Sequence, residues 1–267
     1  MDYTLNIRGQ LLSLEMPQVM GILNATPDSF YAGSRQQTES DVARRAQDIV
    51  EQGGTIIDVG ACSTRPGYTE VSQDEEMARL RMALGIVCRE HPDAVVSVDT
   101  YRADVARMAV EEFGVGIIND VSEGGDPAMF RSVARLGVAY VLTSVQHGLT
   151  DTLMAFAKKV QQLRDIGQRD IILDPGYGFG KTLEENYELM RQQEKLQVLG
   201  LPLLVGVSRK SMIWKRLGGT PEDALNGTTV LHTVALMKGA SILRAHDVRE
   251  AVECCRLMAA MEAPTNR

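Results

Sequence analysis

Short apolar runs alternate with longer stretches of helical period along almost the whole chain. Runs of strand length fall at 18–23, 55–59, 94–98, 116–118, 138–142, 170–173, 202–206 and 241–243. Between them, apolar residues recur every three or four positions over 40–50, 103–113, 126–136, 153–163, 183–196, 222–238 and 247–261, which predicts helices. The first of these carries a Glu39-Ser40-Asp41 start. Residues 3–15 alternate weakly around Asn6-Ile7-Arg8-Gly9-Gln10 and predict a β-hairpin outside the repeat. Roughly eight strand–helix units in register predict an α/β fold, a (β/α)8 TIM barrel with an N-terminal β-hairpin. A doubly wound open sheet is the structural alternative, though it usually takes fewer strands. The expectation is a single domain over 1–267, with the hairpin in 1–16 and a frayed tail at 263–267.

A barrel demands that functional groups gather where strands end. Polar residues stand at or just past the end of every predicted strand: Asn24, Asp58, Asp99, Asn119, Thr143-Ser144, Asp174, Ser208-Arg209-Lys210 and Arg244-Ala245-His246. The sharpest stretch is Ile171-Ile172-Leu173-Asp174-Pro175-Gly176-Tyr177-Gly178-Phe179-Gly180-Lys181-Thr182, where a carboxylate closes a buried strand and a glycine-rich turn follows. It is not a phosphate loop. The Walker pattern requires glycine where Pro175 stands, and G-x-G-x-x-G fails at Lys181.

Composition narrows the chemistry. The chain has 267 residues, enough for one large barrel, and 44% of them are hydrophobic. A net charge of −7 argues against nucleic acid or an anionic membrane as the main partner. No apolar run nears the ~20 residues of a membrane span, and the first residues lack signal-peptide character. Cys62, Cys88, Cys254 and Cys255 have no C-x-x-C spacing, so reduced thiols in a cytoplasm are expected.

Acids and amides at one mouth (Asp58, Asp99, Asp174, Asn24, Asn119) suit a heterocycle rich in N–H donors. Asp58 either contacts such a ligand or orients a neighbouring loop. Lys210 with Arg209, Arg244 and His246 forms a cationic set suited to phosphate or pyrophosphate, with Mg²⁺ reached through Asn24. His91, His147 and His232 lack ligand spacing, and no triad spacing offers a nucleophile. The loops at 25–35 and 61–68 have the proline, glycine and hydroxyl content of lids, or of ordinary solvated turns.

Met20-Gly21-Ile22-Leu23-Asn24-Ala25-Thr26-Pro27-Asp28-Ser29-Phe30 resembles the first signature of the dihydropteroate synthase family. The likeness continues through Ser63-Thr64-Arg65-Pro66-Gly67, Ser97-Val98-Asp99-Thr100, Ile118-Asn119-Asp120-Val121, the 173–182 stretch, Val207-Ser208-Arg209-Lys210-Ser211 and Arg244-Ala245-His246-Asp247-Val248. The family's barrel joins 7,8-dihydropterin-CH2-pyrophosphate to 4-aminobenzoate and releases pyrophosphate. By position, the resemblance implies that Asp99, Asn119, Asp174, Phe179 and Lys210 hold the pterin. It implies that Asn24, Arg244 and His246 hold the pyrophosphate, with Asn24 the Mg²⁺ ligand. Phe30, Thr64, Arg65, Pro66 and Ser211 are then expected to shape the aminobenzoate site, and Asp99, Asp174, Lys210 and Arg244 to do the catalytic work. A homodimer is implied by the resemblance alone.

Two departures sit on the rim. Ala61-Cys62 stands where the family usually has Gly-Glu, and Thr143-Ser144 where it has Met-His. Two rivals follow: a pterin-binding methyltransferase barrel, which predicts neither the cation cluster nor the Ser-Thr-Arg-Pro-Gly loop, and a paralogue that binds pterin without turnover.

Overall fold

A computed structural model describes residues 3–25, 35–61 and 71–262. Strands β1 (Thr4–Ile7) and β2 (Gln10–Ser13) pair antiparallel as the expected hairpin. Its turn uses Arg8 and Gly9 at φ 54° and 84°, the left-handed pair that matches strand twist. Eight further strands are all parallel: β3 (Gln18–Asn24), β4 (Ile56–Gly60), β5 (Val95–Asp99), β6 (Ile117–Asp120), β7 (Ala139–Thr143), β8 (Ile171–Asp174), β9 (Leu203–Val205) and β10 (Ala240–Ala245). They close into a barrel in the order β10-β3-β4-β5-β6-β7-β8-β9.

Around it lie α1 (Arg35–Glu51), α2 (Gln73–Glu90), α3 (Ala103–Phe113), α4 (Met129–Leu136), α5 (Leu149–Asp165), α6 (Leu183–Arg191), α7 (Ser211–Leu217), α8 (Leu225–Met237) and α9 (Val248–Glu262). The barrel expectation holds, and several boundaries move for identifiable reasons. Most strands run one or two residues further than their apolar cores, so Asn24, Asp99, Asn119, Thr143 and Asp174 lie inside the ladder rather than after it. Helix α1 begins at Arg35, upstream of the expected Ser40, because Gln36 to Glu39 are compatible with helix. Asp126 does not open α4. Its carboxylate accepts from the backbone N–H of Ala103 and of Ala128, holding the start of α3 and its own turn. The expected helix over 183–196 breaks after Arg191 into a 3₁₀ segment, Gln193–Leu199. Buried Gln193 is drawn toward α8, donating to the carbonyls of Ala235 and Lys238 and accepting from the Tyr177 hydroxyl.

Two apolar layers result from strand alternation. Residues such as Tyr140, Leu142 and Leu173 face the helices. Met20, Ile56, Ile117, Ala139, Val141, Ile172, Leu204 and Ile242 fill the lumen. The hairpin seals the N-terminal end of that lumen with Leu5, Ile7 and Leu14, and the Asn6 N–H donates to Asp170 at 2.9 Å. Among the described residues, no helix is long and apolar enough to cross a membrane.

Candidate active site

At the C-terminal ends of the strands the inward positions change from apolar to polar. Following the lumen residues along seven of the eight strands leads to Asn24 on β3, Asp58 on β4, Ser97 and Asp99 on β5, Asn119 on β6, Thr143 on β7, Asp174 on β8 and Arg244 on β10. Being held in the ladder makes these groups rigid, as a preorganised site requires.

Arg244 crosses the mouth to two carboxylates. Its Nε donates to Asp58 at 2.6 Å and its Nη2 to Asp99 at 2.7 Å. Asp58, fully buried, also accepts from the Asn119 side-chain amide at 3.1 Å. Asp58 therefore orients Arg244 and Asn119. Burial pushes the Asp99 carboxyl up to about 7; Arg244 opposes that shift, and the neighbouring charges of Asp58 and Asp120 add to it. Burial disfavours the Arg244 cation, and the attraction of Asp58 and Asp99 outweighs it, raising its pKa. Behind Asp99, the buried carboxylate of Glu76 accepts from the Thr100 hydroxyl at 2.7 Å and pairs with Arg102.

Across the mouth, Asp174 ends β8 and accepts from the Gly176 N–H at 2.8 Å. Gly176 lies at φ 72°, and a Cβ there would come within 1.9 Å of the Ser144 carbonyl oxygen. The turn thus excludes any side chain at this position. Lys181 fastens it, donating to the carbonyls of Gly176 at 2.9 Å and Ser144 at 3.3 Å, and Thr182 caps α6 in a capping box with Glu185. Lys210 donates to the Tyr177 carbonyl and lies 4.5 Å from the centre of the Phe179 ring. Burial pulls the Lys210 ammonium down to about 8, partly offset by Asp174. Burial likewise raises Asp174, with Lys210 and the Gly176 N–H opposing.

Not every member of the expected cationic set converges. Arg209 turns away from the mouth: its guanidinium binds both oxygens of Asp247, at 2.9 and 2.8 Å, and the carbonyls of Pro221 and Glu222. Arg209 sits in a tight turn at φ 53°, the left-handed region, which swings its side chain out toward Asp247 while Lys210 faces the mouth. His246 is half-buried and its backbone N–H donates to Ser208. Arg45 from α1 donates to the carbonyls of Ile22 and His246, tying β3 to the end of β10. The Asn24 side chain is solvent-facing; a Cβ at Gly60 would lie 3.7 Å from its Oδ1 and 3.5 Å from the Asp99 Cβ. Ser211 is the first residue of α7, directly after Lys210. Phe30, Thr64, Arg65, Pro66 and Cys62 lie outside the described residues.

Several buried polar atoms have no hydrogen-bond partner among the described residues. Four of them belong to inward positions on adjacent strands: Asp58 Oδ1, Ser97 Oγ, Asn119 Oδ1 and Thr143 Oγ1. Native proteins rarely leave such groups unmet, so a cluster of them marks a surface completed by ligand or water. Residue order places the Thr143-Ser144 pair at the rim without saying which of the two faces inward, and it hides Ser97 inside the run Val95-Val96-Ser97-Val98.

The family model described as "Pterin binding enzyme" matches residues 20–246. Dihydropteroate synthase of Escherichia coli K12 is 36% identical over 277 residues, covering 97% of each chain. Among solved structures, Xanthomonas albilineans dihydropteroate synthase with 4-aminobenzoic acid superposes with a TM-score of 0.92 at 32% identity, covering 99% of this chain and 100% of that one. The Xanthomonas albilineans enzyme in complex with 7,8-dihydropteroate gives 0.88 at 30% identity, over 98% and 100%.

Proposed function

This chain belongs to the dihydropteroate synthase family of pterin-binding enzymes, and on that premise we propose that its barrel mouth condenses 7,8-dihydropterin-CH2-pyrophosphate with 4-aminobenzoate, giving 7,8-dihydropteroate and pyrophosphate. The observation that carries the reading is the facing of Asp99, Asn119 and Asp174 with Lys210 and Arg244 over unpaired lumen oxygens. It is a transferase of folate biosynthesis. The relatives' structures with 4-aminobenzoic acid and with 7,8-dihydropteroate support the same substrate class here.

In this reading Asp99, Asn119 and Asp174 accept the amino and ring N–H groups of the pterin, and Lys210 donates to its ring acceptors, with Phe179 beside it. As the bond from the methylene carbon to the pyrophosphate oxygen lengthens, positive charge grows on the pterin and negative charge on the leaving group. The carboxylates stabilise the first, and Arg244, Asn24 and His246 the second. Arg244 turns its Nε and Nη2 toward the carboxylates, and Nη1 is the donor this reading assigns to the leaving group. The aminobenzoate nitrogen supplies the electron pair for the new C–N bond, so no protein nucleophile is needed. Ser211 and the loop residues Phe30, Thr64, Arg65 and Pro66 are assigned to the aminobenzoate.

Among the described residues no group of three or more His, Cys, Asp or Glu is arranged to hold a metal ion. Mg²⁺ needs no such cage, since it keeps waters and binds through few protein oxygens together with substrate phosphates. The solvent-facing amide of Asn24 at the mouth fits that role. When bound, Mg²⁺ supplies charge neutralisation to the pyrophosphate. We further assign the enzyme to the cytoplasm, acting on small molecules as a homodimer, without nucleic-acid or membrane partners.

The test is pyrophosphate release from purified protein given the pterin pyrophosphate, 4-aminobenzoate and Mg²⁺. Release that depends on aminobenzoate and vanishes in Asp174→Asn is expected. Absence of dihydropteroate from the unaltered chain would refute the reading.

A further inference from the structure

The lumen wall between the two assigned pterin acceptors is made by β7, which pairs with β6 on one side and β8 on the other. Asn119 stands opposite Val141, and Asp174 opposite Thr143. Ala139 and Val141 belong to the lumen core, so Thr143, two residues beyond, also points inward. A ligand held by both Asn119 and Asp174 must pass in front of it.

The Thr143 side chain is fully buried, and its Oγ1 has no hydrogen-bond partner among the described residues. Its neighbour differs. By alternation Ser144 turns away from the lumen; its Oγ accepts from the Gln146 N–H at 3.2 Å and lies 3.5 Å from Thr152 Oγ1, while its carbonyl accepts from Lys181. Of these two neighbouring hydroxyls, one is absorbed by local structure and the other has no partner among the described residues. Such a buried hydroxyl, aimed into a ligand pocket, is free to bond a ligand atom in place of water.

We propose that Thr143 is a specificity-determining residue, whose hydroxyl hydrogen-bonds a ring heteroatom of the bound pterin between Asn119 and Asp174. This rests on the pterin reading above.

The experiment is calorimetric titration of a 7,8-dihydropterin lacking the pyrophosphate into the unaltered protein, Thr143→Val and Thr143→Ser, beside thermal melts without ligand. Valine keeps the shape and removes the hydroxyl. Binding about three- to tenfold weaker is expected for Thr143→Val, with ligand-free melting unchanged or higher, and Thr143→Ser within about twofold of the parent. The KM for 4-aminobenzoate should stay where it was. Unaltered protein that binds the pterin and Thr143→Val that binds it equally well overturn the inference alone. Unaltered protein that binds no pterin overturns the pterin reading, and this inference with it.

Discussion

The two ends of the barrel lumen are built from the same eight strands and obey opposite rules. At the N-terminal end, inward positions are Met20, Ile56, Ile117, Ala139, Val141, Ile172, Leu204 and Ile242, capped by the hairpin's Leu5, Ile7 and Leu14. At the C-terminal end, one step further along the same strands, they are Asp58, Asp99, Asn119, Thr143, Asp174 and Arg244. The lower end removes apolar surface from water, and the upper end keeps charges in a space too confined to hydrate them fully. Stability is concentrated at one end and chemistry at the other.

The largest break in that contrast is Arg244→Ala. Losing one preorganised donor on developing charge costs about 10²–10³ in turnover. Binding of the pyrophosphate substrate should fall far more than binding of a pterin without pyrophosphate, a difference read by titrating both. Equal losses would place Arg244 with the carboxylates only.

Next comes Leu204→Ala at the fully buried lower end. Removing this side chain leaves a cavity worth about 2–5 kcal/mol of stability. Denaturant melts should register that loss, while kcat measured well below the melting point holds within about twofold. A comparable loss of kcat would mean that the two ends are mechanically coupled.

A third measurement sharpens the upper end. Asp99, raised to about 7, is ionised only as pH climbs through that value, and Lys210, lowered to about 8, is cationic only below that value. The pH profile of kcat/KM should therefore rise through about 7 and fall above about 8. Lys210→Arg, which stays charged, should shift or abolish the alkaline fall even if the maximum drops. An alkaline limb unchanged in that variant would assign it elsewhere.

The smallest effect is expected at the hairpin. Asp170→Asn weakens an exposed acceptor for the Asn6 N–H and should cost about 0.5–1 kcal/mol in a melt, with no change in either KM.

Much of this division is legible in residue order. Apolar runs closed by Asp99, Asn119 or Asp174 announce both the strand and its functional end, because backbone alternation and the geometry of a parallel barrel leave little choice. What residue order hides is which side a terminal residue takes. Arg209 and Lys210 are equal candidates until the segment's direction is known, and the same holds for Thr143 and Ser144. Helix α2 carries Leu80, Ala83, Leu84 and Val87 at helical spacing, and its buried face also holds two charged residues, Glu76 and Arg79, whose roles residue order does not reveal. The Arg79 guanidinium donates to the Ala61 carbonyl, and Glu76 supports Thr100 and Arg102, roles that exist only once distant strands are side by side.

The reach of Arg244 has a consequence for how the chain folds. Its two partners lie 186 and 145 residues away in sequence, and Arg45 spans 201 residues to the His246 carbonyl. No partly formed barrel, built from the first strands or the last, contains these contacts. An intermediate built from the first strands would hold Asp58 and Asp99 without their cation, one built from the last would hold Arg244 without its anions, and a charge buried without its counterpart is costly. Half-closed states are therefore penalised, and joining β10 to β3 gains ladder bonds and charge compensation in one step. The residues that make the site chemically useful also push the barrel toward all-or-none closure, so a ligand that binds there recognises only the finished fold and draws the folding equilibrium toward it.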